Sequence, residues 1–408
     1  MLNNGSNAVR GNRNRGIDYF RVFLMLLVVW HHATLAYGTT GSGVLITDED
    51  TFLGFDLIAL YNDSFFMFAF FFISGLFAYK SVLKKGDKTF LKERSIRLLL
   101  PFAFGTLWIN PIAHYFSLLN KNGESFSITA YFQFLISNFG KIEANHLWFL
   151  WVLFLFSGML VVYHQIPKRF SQRHLEKYLT NSGYFTWVMI LLSLVAFLPI
   201  QNFEAGGFVT IIKPFNMQVS RILIYFLYFV AGNVIGAYGI QKCFLFQEKF
   251  QKKGWLWLAL SLVATVMNLG IHIIREIMED SALKDVIVVV DQSMIVLISL
   301  FALYGFMSLF TLYSKGEHRI LNVLAKEAMG IYVIHYAVAT GLQYALTFVE
   351  LPGLVKGVVV TASTLMISLG LIIGFKKIPV VGIVSYSSKY DKMLILVTLL
   401  MVLLLIFL

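Results

Sequence analysis

The chain carries a single cysteine, Cys243, in 408 residues. One thiol excludes an internal disulfide framework and any multi-thiolate metal site. Charge is scarce as well: 13% of residues are charged against 58% hydrophobic, far from the soluble average. Few polar stretches are long enough to fold alone, which excludes a soluble multi-domain organisation. Acidic residues are outnumbered, 22 to 33, for a net charge of +11. That balance does not mark a nucleic-acid partner, because the basic residues sit in short loops between apolar runs, as expected at the inner face of a membrane. There is no HxxxH or HExxH spacing, no Gly-rich phosphate loop and no G-x-S-x-G elbow. Nor is there an internal repeat of the kind many transporters show.

What remains is an all-α integral membrane protein of 10–11 transmembrane helices. Eleven apolar runs approach the ~20 residues a spanning helix needs, at 17–37, 56–80, 95–119, 146–164, 183–200, 219–238, 254–273, 286–313, 328–349, 352–375 and 392–408. The first ten and their loops form one domain, 1–391, and the last is an additional C-terminal helix, 392–408. Sorting Lys and Arg by alternate loops places 25 on one side and 7 on the other, with Arg21 inside the first run. The positive-inside rule then sets the N-terminus in the cytoplasm. A cleaved signal peptide is not expected, since Arg21 and two histidines interrupt the apolar core and no clean small-x-small site follows.

A few ionisable residues interrupt these runs. The first, RGIDYFRVFLMLLVVWHHATLAY, holds Asp18, Arg21, His31 and His32. A charge within a bilayer helix costs ~3 kcal/mol on insertion scales, so it faces the protein interior and serves a purpose. Eleven residues make three turns, which puts Arg21 and His32 on one face roughly 16 Å apart, with Asp18 near it and His31 turned away. At the cytoplasmic mouth of the third run, Arg94 and Arg97 are three residues apart and share a face, with Lys88 and Lys92 before them. Near a helix N-terminus such a pair suits a phosphate, although a stop-transfer cluster has the same composition. NHLWFLW, with His146 and Trp148, opens the fourth run; a capping histidine and an interfacial tryptophan account for it equally well. Asp291 and His335 lie within later spans, each as a partner for a neighbour or beside a hydrated crevice. In the Phe-rich second run, Ser74-Gly75 permits close helix contact.

Taken together and in order, these features resemble the acyltransferase-3 family of integral-membrane acyltransferases over nearly the full chain. The matching elements are Arg21 and His32 eleven residues apart, FFFISG at 70–75, R-x-x-R at 94–97 with Pro101 behind, HLWFLW at 146–151, IYVIH at 331–335 and KKIPVV at 376–381. Phe68 stands where the family often has proline, and the eleventh run is a departure. HLWFLW and the Asp18–Arg21 spacing are most similar to the branch that includes glucan biosynthesis protein C. The resemblance implies a stand-alone membrane enzyme, without an appended esterase-like domain. It would move an acyl group, acetyl foremost, from cytoplasmic acyl-CoA to a hydroxyl of an extracytoplasmic glycan. Under that reading His32 is the general base, with Arg21 and Asp18 beside it. Arg94, Arg97 and Lys92 hold the CoA phosphates, and His146, Trp148, Asp291 and His335 are acceptor-side candidates. No metal is indicated. The alternative is an exporter of polysaccharide or lipid-linked sugar without covalent chemistry, which needs the same spans and intramembrane charges but has no reason to bind CoA.

Overall fold

A computed structural model describes residues 14–41, 44–123, 127–138, 143–165, 172–200, 207–278, 282–314 and 316–374. The expected helix at 392–408 and the KKIPVV segment lie outside the described residues. Within them the chain is nearly all helical. The first helix, α1 (Arg15–Thr34), is capped by Asn14, whose side chain accepts from the Ile17 amide. The second run is broken at Ser64-Phe65 into α2 (Leu53–Asp63) and α3 (Phe66–Lys85). The third is one continuous path of α4 (Asp87–Arg94), α5 (Leu100–Phe104) and α6 (Asn110–Asn122), joined by wide π-type turns at Ser95–Leu99 and Gly105–Ile109. Such turns inside α-helices recur at functional sites.

Next come a short helix, α7 (Ile128–Ser137), and α8 (Trp148–Gln165), entered through a tight turn at Asn145–Leu147. A surface helix, α9 (Gln172–Thr180), leads into α10 (Ser182–Phe197). A small hairpin departs from the all-α expectation: β1 (Val209–Ile212) pairs antiparallel with β2 (Phe215–Met217). The chain continues through α11 (Ile222–Tyr238), α12 (Glu248–Gln251), α13 (Gly254–Ile277), α14 (Ala282–Tyr313), α15 (Arg319–Leu346) and α16 (Gly353–Gly374).

Nine helical stretches among the described residues are long and apolar enough to cross a membrane, so this is a multi-pass membrane protein. With 28 residues, α15 also has spanning length, but Glu327, His335, Thr340 and Gln343 make it more polar. All four side chains are buried, because α15 packs against α1, α6 and α16. A polar helix is tolerated at membrane depth where protein rather than lipid surrounds it. By contrast α13 turns Leu262, Val266 and Ile273 outward, as a lipid-facing helix does.

Glycines set the tightest contact. On α11, Gly232 and Gly236 lie so close to α3 that an added Cβ would fall 2.0 Å from the Phe72 carbonyl oxygen and 2.1 Å from that of Leu76. Gly75 of α3 answers with 2.1 Å to the Phe229 carbonyl oxygen. Small residues four apart let helix backbones meet in membranes, where packing rather than the hydrophobic effect drives association. This pair, with the aromatic-rich core of Phe68, Phe71, Tyr225 and Tyr228 between its rings, forms the wall on which α1 rests.

Candidate active site

Three imidazoles from three separate elements meet near the C-terminal end of α1. His32 comes from the last turn of α1, His146 from the turn before α8, and His335 from the middle of α15. The ring centroids of His32 lie 5.8 Å from His146 and 5.4 Å from His335, which are themselves 4.8 Å apart. Tyr336 closes the group, 5.1 Å from His32 and 4.9 Å from His146. The last turn of α1 is held by α15, where the Gln343 side-chain amide donates to the carbonyls of His32, at 2.8 Å, and Ala33, at 3.1 Å.

One carbonyl fixes two of the rings. The Tyr332 carbonyl oxygen lies 3.0 Å from His146 Nε2 and 2.7 Å from His335 Nδ1. A carbonyl only accepts, so both nitrogens carry the proton. The remaining nitrogens, His146 Nδ1 and His335 Nε2, are therefore lone-pair acceptors, and both are buried without a partner among the described residues. Buried polar atoms are normally paired, and an exception calls for an explanation. A hydroxyl-bearing substrate entering the cluster supplies one. His32 is the partly exposed member. His31 points elsewhere, with Nε2 3.7 Å from Asp63 Oδ1 at the end of α2.

At the other end of α1, Arg21 lines a cavity of about 230 Å³ together with Arg94, Arg97 and Lys85. Arg94 ends α4, and Arg97 lies within the π-type turn at Ser95–Leu99 that follows. Four cations face one carboxylate there, Glu93, which pairs with Lys85 and stands 4.0 Å from Arg97. Ser74 and Ser81 of α3 supply hydroxyls, and the Arg94 guanidinium sits over the Phe90 ring at 5.1 Å. The excess of positive charge and the planar guanidinium donors match a phosphate-rich ligand.

The other expected residues are scattered. Lys92 is exposed and is not part of the cavity lining. Asp18 lines a neighbouring cavity of about 350 Å³ with Lys80 and Lys242, and Phe77 borders both. Trp148 is buried against Phe71, Phe208 and Tyr225 rather than against the histidines. Asp291 is buried at the contact of α13 and α14, where it accepts from Asn268 at 2.7 Å and Arg275 at 2.7 Å and lies 3.5 Å from His272.

Sequence reasoning missed Tyr332 and Tyr336. The signal was present, since residues three apart and one apart in IYVIHY put Tyr332, His335 and Tyr336 on neighbouring faces of α15. It also missed that Ser74, Ser81 and Lys85, with Phe77 between them, recur at helical spacing on the cavity face of α3. The lone thiol plays no part here. Cys243 lies between spans and is fully buried, which pushes its thiol up to about 12, so it stays protonated and unreactive. No group of three metal-ligating side chains suited to an ion occurs among the described residues.

No curated protein and no solved structure matches the chain. A family model does: that of the acyltransferase domain, acyltransferase-3, matches residues 14–373, which include both the histidine cluster and the arginine cavity. The chain belongs to the acyltransferase-3 family.

Proposed function

We propose that this membrane acyltransferase takes an acetyl group, or another small acyl group, from cytoplasmic acyl-CoA. It passes that group to a hydroxyl of an extracytoplasmic glycan, with His32 as general base. The observation that carries the reading is the layout of α1. Near its inner end it contributes Arg21 to the four-cation cavity, and roughly 16 Å further along it contributes His32 to the histidine cluster.

In this scheme the CoA phosphates bind Arg21, Arg94 and Arg97, whose charge is permanent, and the pantetheine arm runs outward along α1. His32 takes the proton of the acceptor hydroxyl as its oxygen attacks the thioester carbonyl. The new C–O bond forms, the C–S bond breaks, and the proton passes from the imidazolium to the departing thiolate. His146 and His335 accept hydrogen bonds through their unprotonated nitrogens from neighbouring hydroxyls of the acceptor sugar, and so orient the reacting one toward His32. Asp18 acts from beside the donor cavity, where its carboxylate offsets Lys80 and Lys242.

The test is transfer of labelled acetyl from acetyl-CoA to cell-envelope glycans by purified protein in liposomes, wild type beside His32→Ala. A loss of about 100- to 10,000-fold is expected for a missing general base, with the variant still folded by thermal unfolding. Undiminished transfer by a folded His32→Ala protein sinks the assignment.

A further inference from the structure

A cavity of about 380 Å³ opens at the C-terminal end of α6, the end of the third run away from the arginine cavity. Along the helical path from Arg97, His114 lies roughly 25 Å away. The polar walls are His114, Ser117 and Lys121 of α6, Asn138 after α7, and Glu143, with the Phe134 ring among them. None of these residues belongs to the histidine cluster or to the arginine cavity. We propose that this cavity is the acceptor subsite, and that it takes a neutral sugar ring of the glycan and presents a hydroxyl to the histidine cluster. The proposal rests on the acyl-transfer reading and adds to it the place and chemical class of the acceptor.

Three features select that class. The two charged lining residues, Lys121 and Glu143, are of opposite sign, so the lining offers no net charge that would favour an ionic ligand over a neutral one. The uncharged polar groups retain hydrogen-bonding capacity of both kinds. Ser117 Oγ donates to the Leu45 carbonyl at 2.8 Å, which leaves its lone pairs as acceptors. Asn138 Nδ2 donates to the Phe134 carbonyl at 2.9 Å, which leaves its oxygen. The Asn145 side-chain amide, 2.9 Å from His114 Nε2, donates to it, which puts the remaining imidazole proton on Nδ1 as a donor. A few placed polar groups beside an apolar surface are the usual make-up of a small-ligand site, and the volume lies within the usual range. The Phe134 face suits the C–H face of a pyranose.

The cavity wall is tied to the chemistry. His114 of the wall is held by the Asn145 side chain, and Asn145 immediately precedes His146, so one hydrogen bond and one peptide unit join wall and cluster. Asn145 adopts a left-handed backbone with φ of 47°, which turns the chain from the cavity wall into the cluster; asparagine tolerates that region better than most residues. The roof is anchored as well: buried Lys356 binds Asp48 at 2.9 Å and Asp50 at 3.0 Å, and this fixes the loop that carries Leu45.

The test uses reconstituted full-length protein, labelled acetyl-CoA and neutral glucan oligosaccharides beside the mixed envelope-glycan extract. Lys121→Ala and Asn138→Ala, both at the water-facing rim, are each expected to raise the KM for glycan by about 10-fold while the KM for acetyl-CoA changes less than two-fold. In parallel, Asn138→Cys provides a reactive thiol in a chain whose own cysteine is buried. Its labelling by a membrane-impermeant maleimide is expected to slow when glycan is added and not when CoA is added. Wild-type transfer with unchanged glycan KM in both variants and unprotected Cys labelling overturns the subsite and leaves the acyl-transfer reading standing. No transfer by wild type to any glycan, together with no CoA binding, overturns both.

Discussion

Two polar clusters lie inside the membrane-spanning body, and they are finished differently. At the α13–α14 contact, Asp291 takes hydrogen bonds from Asn268 and Arg275 and has His272 beside it. The carboxylate is 4% exposed and its charge is answered on the spot by a guanidinium. In the histidine cluster, by contrast, one carbonyl claims one nitrogen of each of two rings, and the other nitrogens stay buried with no partner among the described residues. The first cluster is complete without a ligand, and its chemistry ends in holding two helices together. The second leaves acceptors idle at a cost of about 1–3 kcal/mol for each unmet group, which a substrate can return on binding. Burial and charge within a membrane helix therefore do not by themselves mark a reactive site; what sets the histidine cluster apart is a pair of unmet acceptors on two adjacent rings.

Mutation tests whether the two clusters differ in this way, and the largest effect on transfer comes first. His32→Ala is expected to lose about 100- to 10,000-fold in kcat, and adding His335→Ala to it should cost little more. Groups that act as one unit are strongly non-additive. Multiplicative losses in the double variant, measured at saturating donor and glycan, would show that the imidazoles act separately. Next come Arg21→Ala and Arg94→Ala, each removing charge-assisted hydrogen bonds of about 1.5–3 kcal/mol to phosphate. Each should raise the KM for acetyl-CoA by about 10-fold or more while leaving the KM for glycan in place. A donor KM that stays at the wild-type value in both variants would show that the arginine cavity does not bind the donor. The smallest effect on transfer is expected of Asp291→Ala. It removes the acceptor that Asn268 and Arg275 share and should cost about 1–3 kcal/mol of stability, seen as a lower Tm, while turnover per folded molecule changes less than two-fold. A loss of turnover comparable to that of His32→Ala would join the two clusters and erase the distinction between them.

The sequence is most legible where physics is local. Apolar run length and the Lys/Arg bias reveal the membrane body, since both depend only on the bilayer. Helical spacing reveals Arg94 and Arg97 as a pair. It also places Arg21 on the face of His32, yet eleven residues of rise put Arg21 in the arginine cavity and His32 in the histidine cluster. His32, His146 and His335 each look like an isolated intramembrane histidine. Their convergence depends on α15 packing against α1 and on the turn before α8 reaching the Tyr332 carbonyl of α15, long-range facts that no local spacing encodes. Asp291 shows the reverse case. Asn268, His272 and Arg275 recur at four and three residues on α13, one face of a helix, so a polar stripe awaiting a carboxylate is written in the amino-acid order itself. The less apolar α15 is harder, because mean hydropathy does not register that its polar residues face protein.

Sidedness tests most directly whether one helix joins a donor site on the cytoplasmic side to a reaction site on the other. Protein reconstituted in a single orientation would be given labelled acetyl-CoA only on the side of the arginine cavity and glycan only on the side of the histidine cluster. The expected result is labelled glycan in that arrangement, no label when the two are exchanged, and no label with His32→Ala in either. Unlabelled glycan in the first arrangement, with glycan itself carried across the membrane, would contradict acyl transfer across α1 and favour export.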